Sequence, residues 1–232
     1  GGMRGTCRQM GMEFFDQQEI FANANRIGQQ AIELLYADEC PSDTMDVVIA
    51  PDQMMLQIHE SVGHALEVDR ILGDERNYAG WSFVKLEDFG NLKYGSDLMN
   101  ITFDPTLESE FASYAFDDGG LKARKEYLIK SGILLKGLGG QESQIRSGLD
   151  GVANFRSSGW NRAPIDRMAN INLEAWKNGH FIQVNHKGVP KVCSGWKQGS
   201  GHMWCTEIEH IGANCGMENK FSLQVSGFAQ ES

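Results

Sequence analysis

Glycine sets the strongest limit on what this chain can fold into. Its 27 copies exceed the roughly 7% of ordinary usage and concentrate after Gly119. That half is therefore cut into short segments, which favours turns between short strands over long helices. The first half reads differently. Across residues 12–37, Phe14, Phe15, Ile20, Phe21, Ala24, Ile27, Ala31, Ile32, Leu34 and Leu35 recur mostly at three- and four-residue steps without proline, the pattern of an amphipathic helix. Cys40-Pro41-Ser42-Asp43 ends it, and the β-branched run at residues 45–50 predicts a strand closed by Pro51-Asp52. Residues 53 to about 69 predict a second helix, offering Met54, Met55, Leu56, Ile58, Val62 and Leu66 to a core.

Between about residues 73 and 118, glycine, asparagine and aspartate alternate with apolar runs such as Trp81-Ser82-Phe83-Val84 and Met99-Asn100-Ile101-Thr102-Phe103. Short antiparallel strands joined by loops are expected there. Asp117-Asp118-Gly119-Gly120 signals a turn, and residues 125–135 read as strand, Ser131-Gly132 turn, strand. Residues 148–162 are polar and glycine-rich, a binding or flexible loop in which Asn161 and Arg162 could hold substrate carbonyls or a carboxylate. The expected class is α+β, with mainly antiparallel sheets, an N-terminal helix and a second helix at residues 53–69, in one domain over residues 1–232.

Charge and cysteine usage narrow the partners. Lys+Arg of 21 against Asp+Glu of 31 gives 21 − 31 = −10, the wrong sign for neutralising phosphates, so no nucleic acid is expected. No apolar run approaches the length that spans a bilayer, and Gly1-Gly2-Met3-Arg4 lacks a secretory signal's apolar stretch. No membrane contact and a cytoplasmic location are expected. Five irregularly spaced cysteines, Cys7, Cys40, Cys193, Cys205 and Cys215, argue for free or metal-bound thiols rather than a disulfide framework.

The chemistry concentrates in His59-Glu60-Ser61-Val62-Gly63-His64-Ala65-Leu66-Glu67-Val68-Asp69. Zinc peptidases commonly place two histidines four residues apart, about 40° from each other around an α-helix. Here the spacing is five, which a regular helix would turn to about 140°. The extra residue demands a π-type widening of the turn, and Gly63 makes that distortion cheap. With the turn widened, His59 and His64 reach one ion and Glu60 can accept a proton from water. A catalytic zinc usually has three protein ligands. Cys215 is an attractive third, a soft thiolate beside glycine, but Glu67, Asp69, His202, Cys205, His210 and Cys193 compete for the role. Glu67 or Asp69 can instead accept a histidine N–H and fix its tautomer. A non-catalytic peptide-binding or modulator protein with a partial metal site is the alternative, and a structural zinc domain a third reading.

The motif resembles the signature of the TldD/PmbA family of metallopeptidases, in its TldD-type subunit. Gly63 before the second histidine and the Glu67-Val68-Asp69 tail both match. The likeness continues through Phe116-Asp117-Asp118-Gly119-Gly120, the hairpin at 127–137, Arg167-Met168-Ala169-Asn170 and Asn214-Cys215-Gly216, from about Ala31 onward. It implies His59, His64 and Cys215 as ligands of one zinc ion, with Glu60 as catalytic acid/base. It further implies proteolysis of extended or unfolded peptides, in a homodimer or a heterodimer with a PmbA-type subunit. Against the family pattern, the sequence is expected to lack the N-terminal domain and to be shortened between about 170 and 212, and it has Met217 where a lysine is favoured.

Overall fold

The computed structural model describes residues 8–17, 20–37, 51–174, 192–196 and 203–206. In chain order the helical elements are α1 (Glu13–Gln17), α2 (Ile20–Leu35), α3 (Pro51–Ile58), a π turn (His59–Gly63), a 3-10 turn (His64–Leu66), α4 (Val68–Leu72), a 3-10 turn (Leu86–Asp88) and α5 (Gln141–Ser147). The strands are β1 (Ile101–Phe103), β2 (Glu126–Lys130), β3 (Ile133–Leu134), β4 (Phe155–Arg156), β5 (Ile165–Asp166), β6 (Ile171–Leu173), β7 (Val192–Trp196) and β8 (Met203–Thr206). Helices with antiparallel pairing make this an α+β chain, as expected. No helix among the described residues is long and apolar enough to cross a membrane.

Two compact units divide these elements. The smaller holds nearly all of α2 and the antiparallel pair β7–β8. The larger holds the rest, built on a four-stranded antiparallel sheet in the order β3-β2-β1-β6. Its hairpin forms where the Ser-Gly turn was expected: Ser131 and Gly132 have φ of 48° and 75°, the positive pair that a two-residue type I′ connection requires. Ile101, Phe103, Leu128, Ile129 and Leu134 are buried from the sheet, and Val62, Leu66, Val84, Leu138 and Val152 pack with them.

Three expectations need correction. The helix expected across residues 53–69 starts at Pro51, where a missing N–H costs nothing, and is not continuous. Its regular part ends at Ile58, and Glu67 is extended at φ −64°, ψ 114° before α4 begins. The break has a cause: the Leu138 N–H donates to the Leu66 carbonyl at 2.7 Å and the Val68 N–H donates to the Leu138 carbonyl at 2.9 Å. A strand-like bridge at Glu67 thus replaces another helical turn. Residues 81–84 form no strand, although Ser82 and Val84 are buried and Trp81 and Phe83 exposed. Ser82 takes the place of a partner strand, its Oγ donating to the Ala65 carbonyl at 2.6 Å and accepting the Val84 N–H at 3.0 Å. The helix expected over 12–37 is two helices, α1 and α2. The strand expected at 45–50, and most of the interval expected to be shortened, lie outside the described residues.

Candidate metal centre

Val62 and Leu66, four residues apart, point into the core at 3% and 0% exposure. Anchoring that face leaves His59 and Glu60 exposed and His64 half-buried on the other. The turn between the histidines is a π turn, and the His64 N–H donates to the His59 carbonyl five residues back. The widening that the five-residue spacing demands is therefore present. It brings the two Nε2 atoms within 3.0 Å, with the rings edge to face at 85°. One ligand atom from each of His59, Glu60 and His64 fits within a 4.8 Å span.

Gly63 serves a different purpose from the one its flexibility suggests. Its φ of −53° and ψ of −69° are right-handed helical values, open to any residue. A Cβ there would stand 1.8 Å from Met168 Sδ. Space, not conformational freedom, demands glycine, because the segment leading from β5 to β6 presses directly on the π turn. The Tyr94 hydroxyl donates to the Ser61 carbonyl of the same turn at 2.5 Å, and burial pushes its phenol pKa up, keeping it a neutral donor.

His64 is held from behind. Its Nδ1 lies 3.1 Å from Glu67 Oε2, and Glu67 is fully buried. Arg70 Nε and Nη2 donate to that same oxygen at 3.0 and 2.9 Å, while Arg70 Nη1 donates to the Ala79 carbonyl. Arg167 Nη1 stands 3.8 Å from Glu67 Oε1. Of the two residues proposed to accept a histidine N–H, Glu67 is thus the one against His64.

Asp69 faces away, toward Asp166. Each carboxylate accepts the other's backbone N–H, at 3.0 and 3.1 Å. Asp166 also accepts Ser143 Oγ at 2.5 Å and the Gly140 N–H at 2.7 Å. Burial first, and then the Asp166 charge, raise the Asp69 pKa from 3.8 to about 7; burial raises Asp166 as well. The folded chain therefore keeps protons on this pair that the unfolded chain has released, so the pair's contribution to stability is full below about pH 4 and is lost as pH rises toward about 7. The melting temperature is expected to fall by several degrees across that window, and Asp69→Asn to flatten the slope whatever it does to the baseline. An unchanged slope in the variant would refute this account.

Asn161 and Arg162 lie exposed in the loop joining β4 and β5. Cys193 and Cys205 are register partners in β7–β8, in the smaller unit. Cys215, His202 and His210 lie outside the described residues. Sequence reasoning missed Arg70 and Tyr94. Arg70 stands three residues from Glu67, a spacing that hints at pairing, but no local signal marks Tyr94, whose partner is 33 residues away.

The donor set suits a zinc-like ion. Two nitrogens at zinc distances of about 2.0–2.1 Å in tetrahedral geometry stand about 3.3 Å apart, close to the 3.0 Å found between the imidazoles. Among the described residues, these histidines and Glu60 form the one such cluster.

The family described as PmbA/TldA metallopeptidase C-terminal domain matches residues 42–188, well over half of the chain. A metalloprotease of Methanothermobacter thermautotrophicus is 34% identical over 164 residues, covering 71% of this chain and 34% of that protein. One from Methanocaldococcus jannaschii is 30% identical over 188 residues, covering 80% and 40%. The chain thus spans less than half the length of either relative. Among solved structures, TldE from Thermococcus kodakarensis is similar at a TM-score of 0.49 and 17% identity, covering 67% of this chain and 34% of that one.

Proposed function

We propose that this chain, which belongs to the PmbA/TldD metallopeptidase family, carries the hydrolytic centre of a zinc-dependent peptidase. The observation that carries this reading is the 3.0 Å approach of two imidazole nitrogens across a π turn, with a carboxylate on the residue between. His59 and His64 hold one zinc ion, and Cys215 completes the protein ligands. Bound there, zinc supplies Lewis acidity and brings the pKa of water down to about 7. Glu60 takes a proton from the attacking water as its oxygen bonds to the scissile carbonyl carbon, then delivers it to the amine as the C–N bond breaks. The exposure of His59 and Glu60 lets an extended or unfolded peptide reach them without opening the core. A second subunit, the same or PmbA-type, is the partner. A cytoplasmic setting fits five irregularly spaced cysteines.

Metal titration of the full chain tests the reading. One zinc ion per chain is expected, lost in His64→Ala, and chelation should abolish peptide hydrolysis without unfolding the chain, since the core is built independently of the histidines. Failure to bind zinc stoichiometrically, or unfolding on chelation, would refute it.

A further inference from the structure

The proposed metal site needs both Nε2 atoms free of protons at the moment of binding, and the groups behind His64 disagree about where its proton goes. Glu67 Oε2, a carboxylate oxygen at 3.1 Å from Nδ1, can only accept and so asks for Nδ1–H. Arg70 Nη2, at 3.4 Å from the same Nδ1, can only donate and so asks for the opposite tautomer. Nδ1–H leaves Nε2 bare toward His59; the opposite tautomer puts a proton on the nitrogen that faces the site.

We infer that Glu67 is a positioning residue that decides this contest, holding the His64 proton on Nδ1 by drawing the Arg70 donors onto itself. Arg70 Nε and Nη2 both bond Oε2 at 3.0 and 2.9 Å, shorter than the 3.4 Å to the ring, and Nη1 is tied to Ala79. Nε and one N–H of Nη2 are thereby engaged by Glu67, which leaves the guanidinium only a longer, weaker approach to the imidazole. A consequence follows for the other ring. With His64 Nε2 an acceptor, His59 must be the Nε2–H donor across the 3.0 Å gap in the metal-free chain. The two histidines are therefore opposite tautomers, and the proton displaced on metal uptake leaves from His59. The inference rests on the zinc reading for its purpose, but not for its observation.

Long-range ¹H–¹⁵N correlation of the imidazoles in the full, metal-free chain, at a pH where both rings are neutral, tests it. His59→Gln supplies the assignment. Expected are Nδ1–H for His64 and Nε2–H for His59. Glu67→Met, similar in length but unable to accept, should let Arg70 turn His64 to Nε2–H and weaken zinc binding about 10–100-fold. Glu67→Gln keeps an acceptor and should retain Nδ1–H. His64 protonated on Nε2 in the unaltered chain overturns the inference, a reading that needs no variant to fold; so does Nδ1–H persisting in a folded Glu67→Met. The expected tautomers with no zinc uptake would sink the peptidase reading alone, whereas zinc uptake with unexpected tautomers would sink only this one.

Discussion

Glu60→Gln is expected to lower peptide hydrolysis about 10²–10⁴-fold, the usual span for a positioned general acid/base, while zinc uptake and stability stay unchanged. The amide has the carboxylate's shape but cannot take a proton at neutral pH. Glu60 is exposed, and among the described residues its side chain has no hydrogen bond or ion pair that the substitution would break. Hydrolysis rates and zinc titration on the same preparation separate two roles. Lost turnover with retained zinc identifies a base. Lost zinc would make Glu60 a ligand, and undiminished turnover would remove it from the chemistry.

Leu66→Ala is expected to destabilise the larger unit by about 2–5 kcal/mol, the cost of deleting a fully buried leucine side chain and leaving a cavity. Leu66 has no exposed surface and packs in the core beneath the site. Its carbonyl also accepts the Leu138 N–H, so its displacement loosens the bridge that stops the helix and sets Glu67 behind His64. Urea denaturation should show a lower midpoint at unchanged slope, and hydrogen exchange at the Leu138 amide should quicken. A loss below about 1 kcal/mol would mean the site's helix is held from elsewhere, since even shallow leucine truncations cost more than that.

The two substitutions address different levels. Glu60 lies on the outer face of the turn, where chemistry can change without touching the fold. Leu66, six residues on, lies on the inner face, where packing holds the turn in place.

Much of this arrangement follows from the chain's local order. Five-residue spacing leaves a helix only one way to aim two imidazoles together, so the π turn was legible from the positions of His59 and His64. The Ser131-Gly132 hairpin was likewise legible, since glycine accepts one of the two positive φ values such a turn needs and Ser131 takes the other. Tertiary structure decided what depends on distant neighbours. Trp81 to Val84 has the alternation of a strand, yet Ser82 bonds the Ala65 carbonyl and no strand among the described residues pairs with it. Glu67 and Asp69 are equal in sequence, but bridging to Leu138 makes Glu67 extended, and Asp166 takes Asp69 from the other side. Gly63 was legible as a glycine that mattered and illegible as to why, because Met168 lies more than a hundred residues away along the chain. Backbone dihedrals and side-chain periodicity are properties of neighbouring residues. Which groups share a buried space is settled only when remote segments pack together.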